Sequence, residues 1–295
     1  MRLHKLLPLA VVPFLLIVIF LFGYLTISRN WNYEISTYII FVITATYILI
    51  FEQLLPLKPN WKIKKDNFWA DIKHFIFSVT IFDAIGKTIS LSIVLYLQQL
   101  FFKPFEIWDK FPLIFTFVIA TIIGEFLPYV YHRISHIGKK SSKISVFLWK
   151  IHSIHHLPTS LNWFKTNWVH PINIFLNTLL KMIPLLLLGF PQEIIYLVGI
   201  TNIVVAYISH ANIKTNTYFL DYLITTPQIH HFHHSKLIDE AKNFGNIIPF
   251  WDLVFGTYYN RKGEVKDVGV VKNDFLYPEK KQYIKQLTFP FIGCC

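Results

Sequence analysis

Histidine is the residue type in this chain whose number and spacing point most directly to chemistry. Eleven of the 13 histidines lie between His132 and His234. Eight of them form three clusters, which are His132-Arg-Ile-Ser-His136, His152-Ser-Ile-His155-His156 and the HxxHH pattern within His230-His-Phe-His233-His234. On a helix, residues at i, i+3 and i+4 share one face, so each cluster directs its imidazoles to the same side.

The number of clustered imidazoles indicates two metal ions. Eight ligands are too many for one four-coordinate ion, and two ions with four or more ligands each would use all of them. Without metal, packed histidines would repel one another when protonated and would need hydrogen-bond partners when buried. Imidazole suits zinc, copper, iron and nickel, and the region contains no cysteine. The pattern therefore predicts a dimetal site without choosing iron over zinc.

Long apolar runs flank and separate the clusters. The chain of 295 residues is 54% hydrophobic and 15% charged, against about 25% charged residues in an average soluble domain. Four runs are long enough to cross a hydrocarbon core, and a fifth, broken run indicates a helical hairpin. The runs cover residues 6–27, 35–51, 75–102, 111–131 and 172–209. We therefore predict an all-α integral membrane bundle with a histidine-rich helical cap that holds the dimetal site.

Two of these runs leave alternatives open. Residues 6–27 could be a signal peptide, but the apolar stretch is long and the site after it is poor for cleavage, which favours a retained anchor. In the third run, Asp83 and Lys87 stand at i, i+4. We expect them to pair on one helix face near the interface, although an ionisable pair inside a membrane is also a candidate functional site.

Basic residues between the runs orient the bundle. With the N-terminus in the cytoplasm, every lysine-rich loop and every histidine cluster lies on the cytoplasmic face, as the positive-inside rule requires. The net charge of +11 suits an anionic leaflet. Because no nucleic-acid-binding module is present, nucleic acid is not an expected partner.

Cys294 and Cys295 are the only cysteines, which excludes a disulfide scaffold and leaves lipidation of this pair open.

The order HxxxH, HxxHH, HxxHH resembles the fatty acid hydroxylase superfamily, also called the sterol desaturase family. Further elements resemble that family in the same order, namely Tyr131-His-Arg-Ile-Ser-His136, Asn162, His170-Pro171, Ser209-His210-Ala-Asn212, Thr226-Pro-Gln-Ile-His230, Lys242-Asn243-Phe-Gly245 and Trp251-Asp252-Leu-Val-Phe255-Gly-Thr257. The resemblance covers roughly residues 120–260. It implies a catalytic domain with further membrane helices at 111–260. Residues 1–110 match the family only as generic membrane spans, and we expect them to form an N-terminal transmembrane region, with a C-terminal tail at 261–295.

The resemblance also implies a non-haem centre of two iron ions that uses O2 to hydroxylate or desaturate a lipid, with zinc able to replace iron in overexpressed protein. The lipid class stays open among sterols, fatty acyl chains, carotenoids and ether lipids. His210 and His170 join the cluster histidines as candidate ligands, whereas His231 is expected not to bind metal. The predicted ligands are His132, His136, His152, His155, His156, His170, His210, His230, His233 and His234.

Two other residues are candidates for catalytic roles. Glu125 lies seven residues before His132 on the same helix face, where it could hydrogen-bond a ligand imidazole; a carboxylate at the membrane edge is the alternative. Asn212, in the element that resembles a His-Ser-Asn motif, is the second candidate. Asp252 is expected to hold the C-terminal segment against the site, with orientation of a ligand histidine as its alternative role.

Such an oxidation needs two electrons from outside the chain. The sequence contains no GxGxxG after a strand, no P-loop, no CxxCH and no cysteine set for an iron–sulfur cluster. We therefore expect a separate donor, a ferredoxin or a cytochrome b5-type protein with its reductase, docking on Lys139, Lys140 and Lys143. The competing functions are a zinc-dependent membrane hydrolase and a non-oxidative metal-binding protein such as a transporter or sensor. Histidines outside the spans argue against transport.

Overall fold

The computed structural model describes residues 3–63, 65–101, 105–137, 142–271 and 275–292. In these ranges the regular structure is helical, and extended backbone pairs only at two isolated bridges. Cys294 and Cys295 lie outside the described residues. The α-helices are α1 Leu3–Ser28, α2 Tyr33–Leu54, α3 Lys65–Lys73, α4 Ile81–Leu100, α5 Leu113–Ile137, α6 Lys143–His156, α7 Pro171–Leu187, α8 Gln192–His210, α9 Pro227–His233, α10 Phe250–Val254 and α11 Tyr283–Thr288.

Five helical segments are long and apolar enough to cross a membrane. They are Leu6–Ser28, Tyr33–Leu54, Phe68–Leu100, Leu113–His136 and Gln192–His210. The third joins α3 to α4 through a π-helical stretch at His74–Thr80. The shorter apolar helix α7 runs into α8 through a turn at Gly189, where a φ of 71° favours glycine because it has no Cβ. These elements confirm the predicted all-α membrane fold, and α7 and α8 follow one another within the predicted fifth run.

The bundle is organised around α7 and α8. Helix α7 packs against α4 and α5, while α8 packs against α1, α2 and α5. At the crossing of α4 and α7, a Cβ on Gly86 would lie 3.0 Å from the Cβ of Thr178, so glycine permits this close approach. Beside the crossing, Thr178 donates to Asp83 at 2.7 Å, and Asp83 pairs with Lys87 at 2.7 Å. This contact confirms the predicted i, i+4 pair.

The cap is built from α6, α9 and the segments that follow the spans. The last part of the chain packs back onto it, because Val265 and Val268 join one buried cluster with Phe232 of α9. Phe289 joins another cluster with Ile154 of α6. Residues from the predicted tail therefore support the helices that carry the histidine clusters.

Candidate metal centre

Nine histidines converge in two groups at the junction of the bundle and the cap. Within each group the facing ligand atoms lie within 4.8 Å of one another. The first group consists of His132 and His136 from α5, His152 and His156 from α6, and His233 from α9. The second group consists of His155 from α6, His210 from α8, and His230 and His234 from α9 and its C-cap.

Each HxxHH cluster is divided between the two groups. In α6, His152 and His156 are separated by four residues and face the first group, whereas His155 faces the second. Helix α9 does the reverse, since His230 and His234 face the second group and His233 faces the first. At 100° per residue, neighbours such as His155 and His156 point in directions about 100° apart. A single helix can therefore supply ligands to two adjacent metal sites.

The spacing between ring nitrogens fits coordination of a shared ion. In the first group the Nε2 atoms of His132 and His152, His132 and His233, and His152 and His156 are each 3.0 Å apart. In the second group the corresponding separations are 3.0 to 3.3 Å. Two nitrogens bound to one ion at about 2.1 Å lie about 3.0 Å apart in octahedral geometry and about 3.4 Å apart in tetrahedral geometry.

Oxygen acceptors fix the tautomer of five of these rings. A carbonyl oxygen can only accept, so an Nδ1 beside it carries the proton and the Nε2 of the neutral ring carries a lone pair. These Nδ1–oxygen pairs are His132 with Phe244 at 2.7 Å, His155 with Trp168 at 3.1 Å, His210 with Ala206 at 2.9 Å, His233 with Lys242 at 2.9 Å, and His152 with the Asn173 side chain at 3.2 Å.

Burial keeps these rings neutral. Burial lowers the pKa of His155 to about 4. It also lowers the pKa of five other grouped histidines well below 6.5, and neighbouring histidines add to this effect; these are His152, His156, His230, His233 and His234. Neutral imidazole is the form that binds metal. In the first group, three Nε2 lone pairs therefore converge without a proton between them, an arrangement that a cation would stabilise. The donor set fits two divalent ions of the class that imidazole prefers.

One predicted ligand, His170, is not brought to either group. It is the N-cap of α7, and its Nδ1 accepts the Ile172 N–H at 3.1 Å. Its Nε2 lies 3.0 Å from the Leu287 carbonyl. Because both ring nitrogens are occupied by backbone groups, His170 joins the start of α7 to the C-terminal segment. The expectation that it binds metal is therefore corrected.

Asn212 also differs from its predicted role. It is fully buried, and its side chain bonds both backbone groups of Lys58, accepting from N–H at 2.8 Å and donating to the carbonyl at 2.9 Å. Its own N–H donates to Glu52 at 2.8 Å. These contacts fasten the end of α8 to the end of α2, directly after His210. Asn212 therefore positions a helix that carries a histidine and contacts no ring nitrogen through its described hydrogen bonds.

Glu125 contacts a loop and a lysine rather than a ligand imidazole. Its Oε2 accepts the N–H groups of Asn246 and Ile247 at 3.0 and 2.9 Å, and its Oε1 lies 2.7 Å from Lys181 Nζ. The predicted direct bond to a histidine is therefore replaced by an indirect connection. The loop that Glu125 holds begins two residues after Phe244, whose carbonyl orients His132.

Asp252 holds that loop from the other side. It accepts hydrogen bonds from the N–H groups of Phe244 and Gly245 at 2.8 and 2.7 Å and from the Thr257 hydroxyl at 2.6 Å.

His231 lies outside both groups and packs edge-on against Trp61, with ring centroids 5.5 Å apart. Burial lowers the pKa of His231 to about 4.

Sequence reasoning did not identify Asn173, which the structure places beside the first group. Its Oδ1 faces His152 and also accepts the Tyr131 hydroxyl at 2.9 Å. The available signal is a polar residue one turn inside the apolar helix α7. The backbone carbonyls that orient the other rings leave no such signal, since every residue type supplies one.

A cavity of about 700 Å³ leads from the histidines into the membrane-spanning bundle. Five histidines from the two groups form its inner end, and α2, α4, α7 and α8 contribute most of the remaining wall. Most of its lining is apolar, including Leu91, Met182, Leu185 and Ile203. This shape suits a ligand with a long apolar portion whose end approaches the histidines.

Comparison with known proteins agrees with this geometry. Residues 117–257 match the sequence model of the family described as fatty acid hydroxylase. The chain is 28% identical over 259 residues to the ornithine lipid hydroxylase OlsE of Rhizobium tropici, covering 86% of this chain and 75% of that protein. It is 26% identical over 198 residues to the alkylglycerol monooxygenase of Homo sapiens, covering 58% of this chain and 40% of that protein. No solved structure matches.

Proposed function

We propose that the chain hydroxylates a membrane lipid with O2, at two iron ions held by the nine grouped histidines, because residues 117–257 match the fatty acid hydroxylase family model. The observation that carries the proposal is the position of both histidine groups at the inner end of one largely apolar cavity. The names of both relatives specify hydroxylation or mono-oxygenation of a lipid, which favours hydroxylation over desaturation.

The nine histidines would supply every protein ligand, and their oxygen partners would hold the rings in register. When bound, iron supplies the activation of O2 that an unactivated C–H bond requires. The overall reaction adds one oxygen atom to the lipid and reduces the other to water, consuming two electrons and two protons. The apolar cavity would orient the lipid chain and exclude bulk water.

The electron donor would dock on the face where the histidines lie. The positive-inside rule assigns this face to the cytoplasm, since lysine-rich loops follow α2 and α5, and α8 ends on the same side as these two helices. Lys143 is exposed at the start of α6, whereas Lys139 and Lys140 lie outside the described residues. A ferredoxin or a cytochrome b5-type protein with its reductase fits the absence of redox motifs in the sequence.

The competing function is zinc binding without oxidation, because an all-imidazole donor set also suits zinc. An isotope experiment distinguishes the two functions. Iron-loaded protein is supplied with a lipid extract, a reductant and ¹⁸O2, and products are analysed by mass spectrometry. We expect one ¹⁸O atom in each hydroxylated product. Oxygen that originates only from water would identify a hydrolase and contradict the proposal.

A pair of variants connects that product to the histidine groups. His155→Ala removes a grouped histidine and should abolish the labelled product. His231→Gln changes a neighbouring cap histidine outside both groups and should retain it. Equal activity in the two variants would show that the groups are not the reaction centre.

A further inference from the structure

A second polar feature lies inside the membrane-spanning part of the cavity. Lys181 Nζ of α7 is 2.7 Å from Glu125 Oε1 of α5 and donates to Asn202 Oδ1 of α8 at 2.6 Å. We call Glu125, Lys181 and Asn202 the polar layer. Lys181 and Asn202 line the cavity, while only 1% of the Glu125 side chain is exposed. Three helices thus each bring one polar side chain to the same point in an apolar bundle.

Helix geometry fixes the depth of the polar layer relative to the histidines. Glu125 precedes His132 by seven residues in α5, and Asn202 precedes His210 by eight residues in α8. At a rise of 1.5 Å per residue, these separations correspond to about 10 and 12 Å. Two separate helices therefore place the polar layer about two turns into the membrane from the metal groups.

Helix association alone does not explain these charges. Apolar side chains would join α5, α7 and α8 without the cost of desolvating an ion pair, and ionisable residues inside membranes usually serve a function. A lysine ammonium has three N–H donors. Within the described part of the chain, Lys181 donates one hydrogen bond to Asn202 and forms an ion pair with Glu125, which leaves at least one N–H donor for a ligand in the cavity.

We propose that the polar layer binds the polar group of the lipid substrate, with Lys181 donating to a carboxylate, carbonyl or phosphate oxygen. This inference rests on the proposed function and narrows its substrate class. A covalent chain in extended form advances about 1.2 Å per bond, so about eight to ten bonds separate the bound oxygen from the oxidised carbon. Lipids that lack such an oxygen, such as hydrocarbon carotenoids, are excluded as substrates.

Lipid retention tests the subsite without turnover. Full-length, iron-loaded protein is kept anaerobic without reductant and incubated with palmitate, hexadecyl phosphate or hexadecane, and bound lipid is quantified by native mass spectrometry. We expect one or both oxyanion lipids to be retained at least tenfold better than hexadecane, the size of effect typical of a hydrogen bond to a charged group. The preferred oxyanion distinguishes a carboxylate-type from a phosphate-type polar group.

Variants connect this preference to the polar layer. Lys181→Met should abolish the preference, and Lys181→Arg should restore it by keeping a cationic donor. Lys87→Met is the matched control, because Lys87 also lines the cavity but pairs with Asp83 instead; it should leave the preference unchanged. Size-exclusion chromatography confirms that each variant is folded.

A double variant separates binding from a purely structural role. Lys181→Met with Glu125→Gln removes both charges and leaves no buried ion unpaired. If this protein is folded and still prefers the oxyanion lipids as strongly as the unmodified chain, the polar layer only holds helices together and the inference is overturned. If the protein prefers oxyanion lipids but incorporates no ¹⁸O, the proposed function is contradicted, whereas lipid binding by the polar layer is supported.

Discussion

The two histidine groups lie side by side and share α6 and α9, yet they differ in composition and support. The first group has five histidines and the second has four. The first draws two of its members from α5, whereas the second takes one, His210, from the end of α8. The candidate metal centre is therefore asymmetric. Loss of one imidazole leaves four ligands in the first group but only three in the second.

The largest predicted effect exploits adjacent residues that serve different groups. His155→Ala reduces the second group to three ligands and should lower the metal content from about two ions per chain to about one. His156→Ala leaves four ligands in the first group and should retain close to two ions. Elemental mass spectrometry of the two purified proteins measures this difference. Equal loss in both variants would contradict the division of the HxxHH cluster.

A second prediction concerns the loop that orients His132 in the first group. Asp252→Asn places an amide N–H against the backbone donors of Phe244 or Gly245, which should destabilise the fold by about 1–3 kcal/mol. Because the Phe244 carbonyl orients His132, the first ion should also be retained about 10- to 100-fold less tightly. Thermal unfolding and chelator titration measure the two effects. Unchanged metal retention would show that the loop does not support the first group.

Asn173 offers a smaller change to the same group. Asn173→Leu removes the oxygen that faces His152 Nδ1 and leaves the Tyr131 hydroxyl without that partner. We expect metal retention in the first group to fall about tenfold, at the lower end of such effects, with the second group unaffected. Thr178→Val, in the same helix but bonded to Asp83 of α4 instead, is the matched control. A loss of both ions would indicate general unfolding instead of a specific effect on the first group.

The smallest predicted effect belongs to His170, the predicted ligand that neither group includes. His170→Ala removes an N-cap and should destabilise the protein by about 1 kcal/mol, while about two ions per chain remain. Metal analysis and thermal unfolding test this combination. Loss of one ion from folded His170→Ala protein would restore His170 as a ligand.

Much of the fold was predictable because a lipid bilayer restricts the solutions. Long apolar runs must satisfy their backbone groups internally, so each run such as 111–131 predicts a helix. The hairpin at Gly189 followed from the polar break between two apolar stretches. The packing of Val265, Val268 and Phe289 against the cap was not predictable. Isolated apolar residues in irregular segments show no periodicity, so the sequence does not reveal which residues they contact.

The site was predictable where residue type and spacing determine it. Nine of the ten predicted ligands enter the two groups. Eight of them belong to the HxxxH and HxxHH patterns, which place histidines on the same side of a helix, and the ninth, His210, was predicted from the family resemblance. The assignment of His155 and His156 to different groups depends on which helices pack beside α6, and the sequence does not contain that arrangement. The His170-Pro171 pair was misleading, since a histidine before a helix-starting proline can serve equally as an N-cap.

Metal content per chain is the most direct test of the dimetal centre. The protein should be purified anaerobically in mild detergent without a polyhistidine tag and analysed by elemental mass spectrometry after iron reconstitution. We expect about two iron ions per folded chain, one for each histidine group. One ion or none in correctly folded protein would contradict a dimetal centre built from the nine grouped histidines.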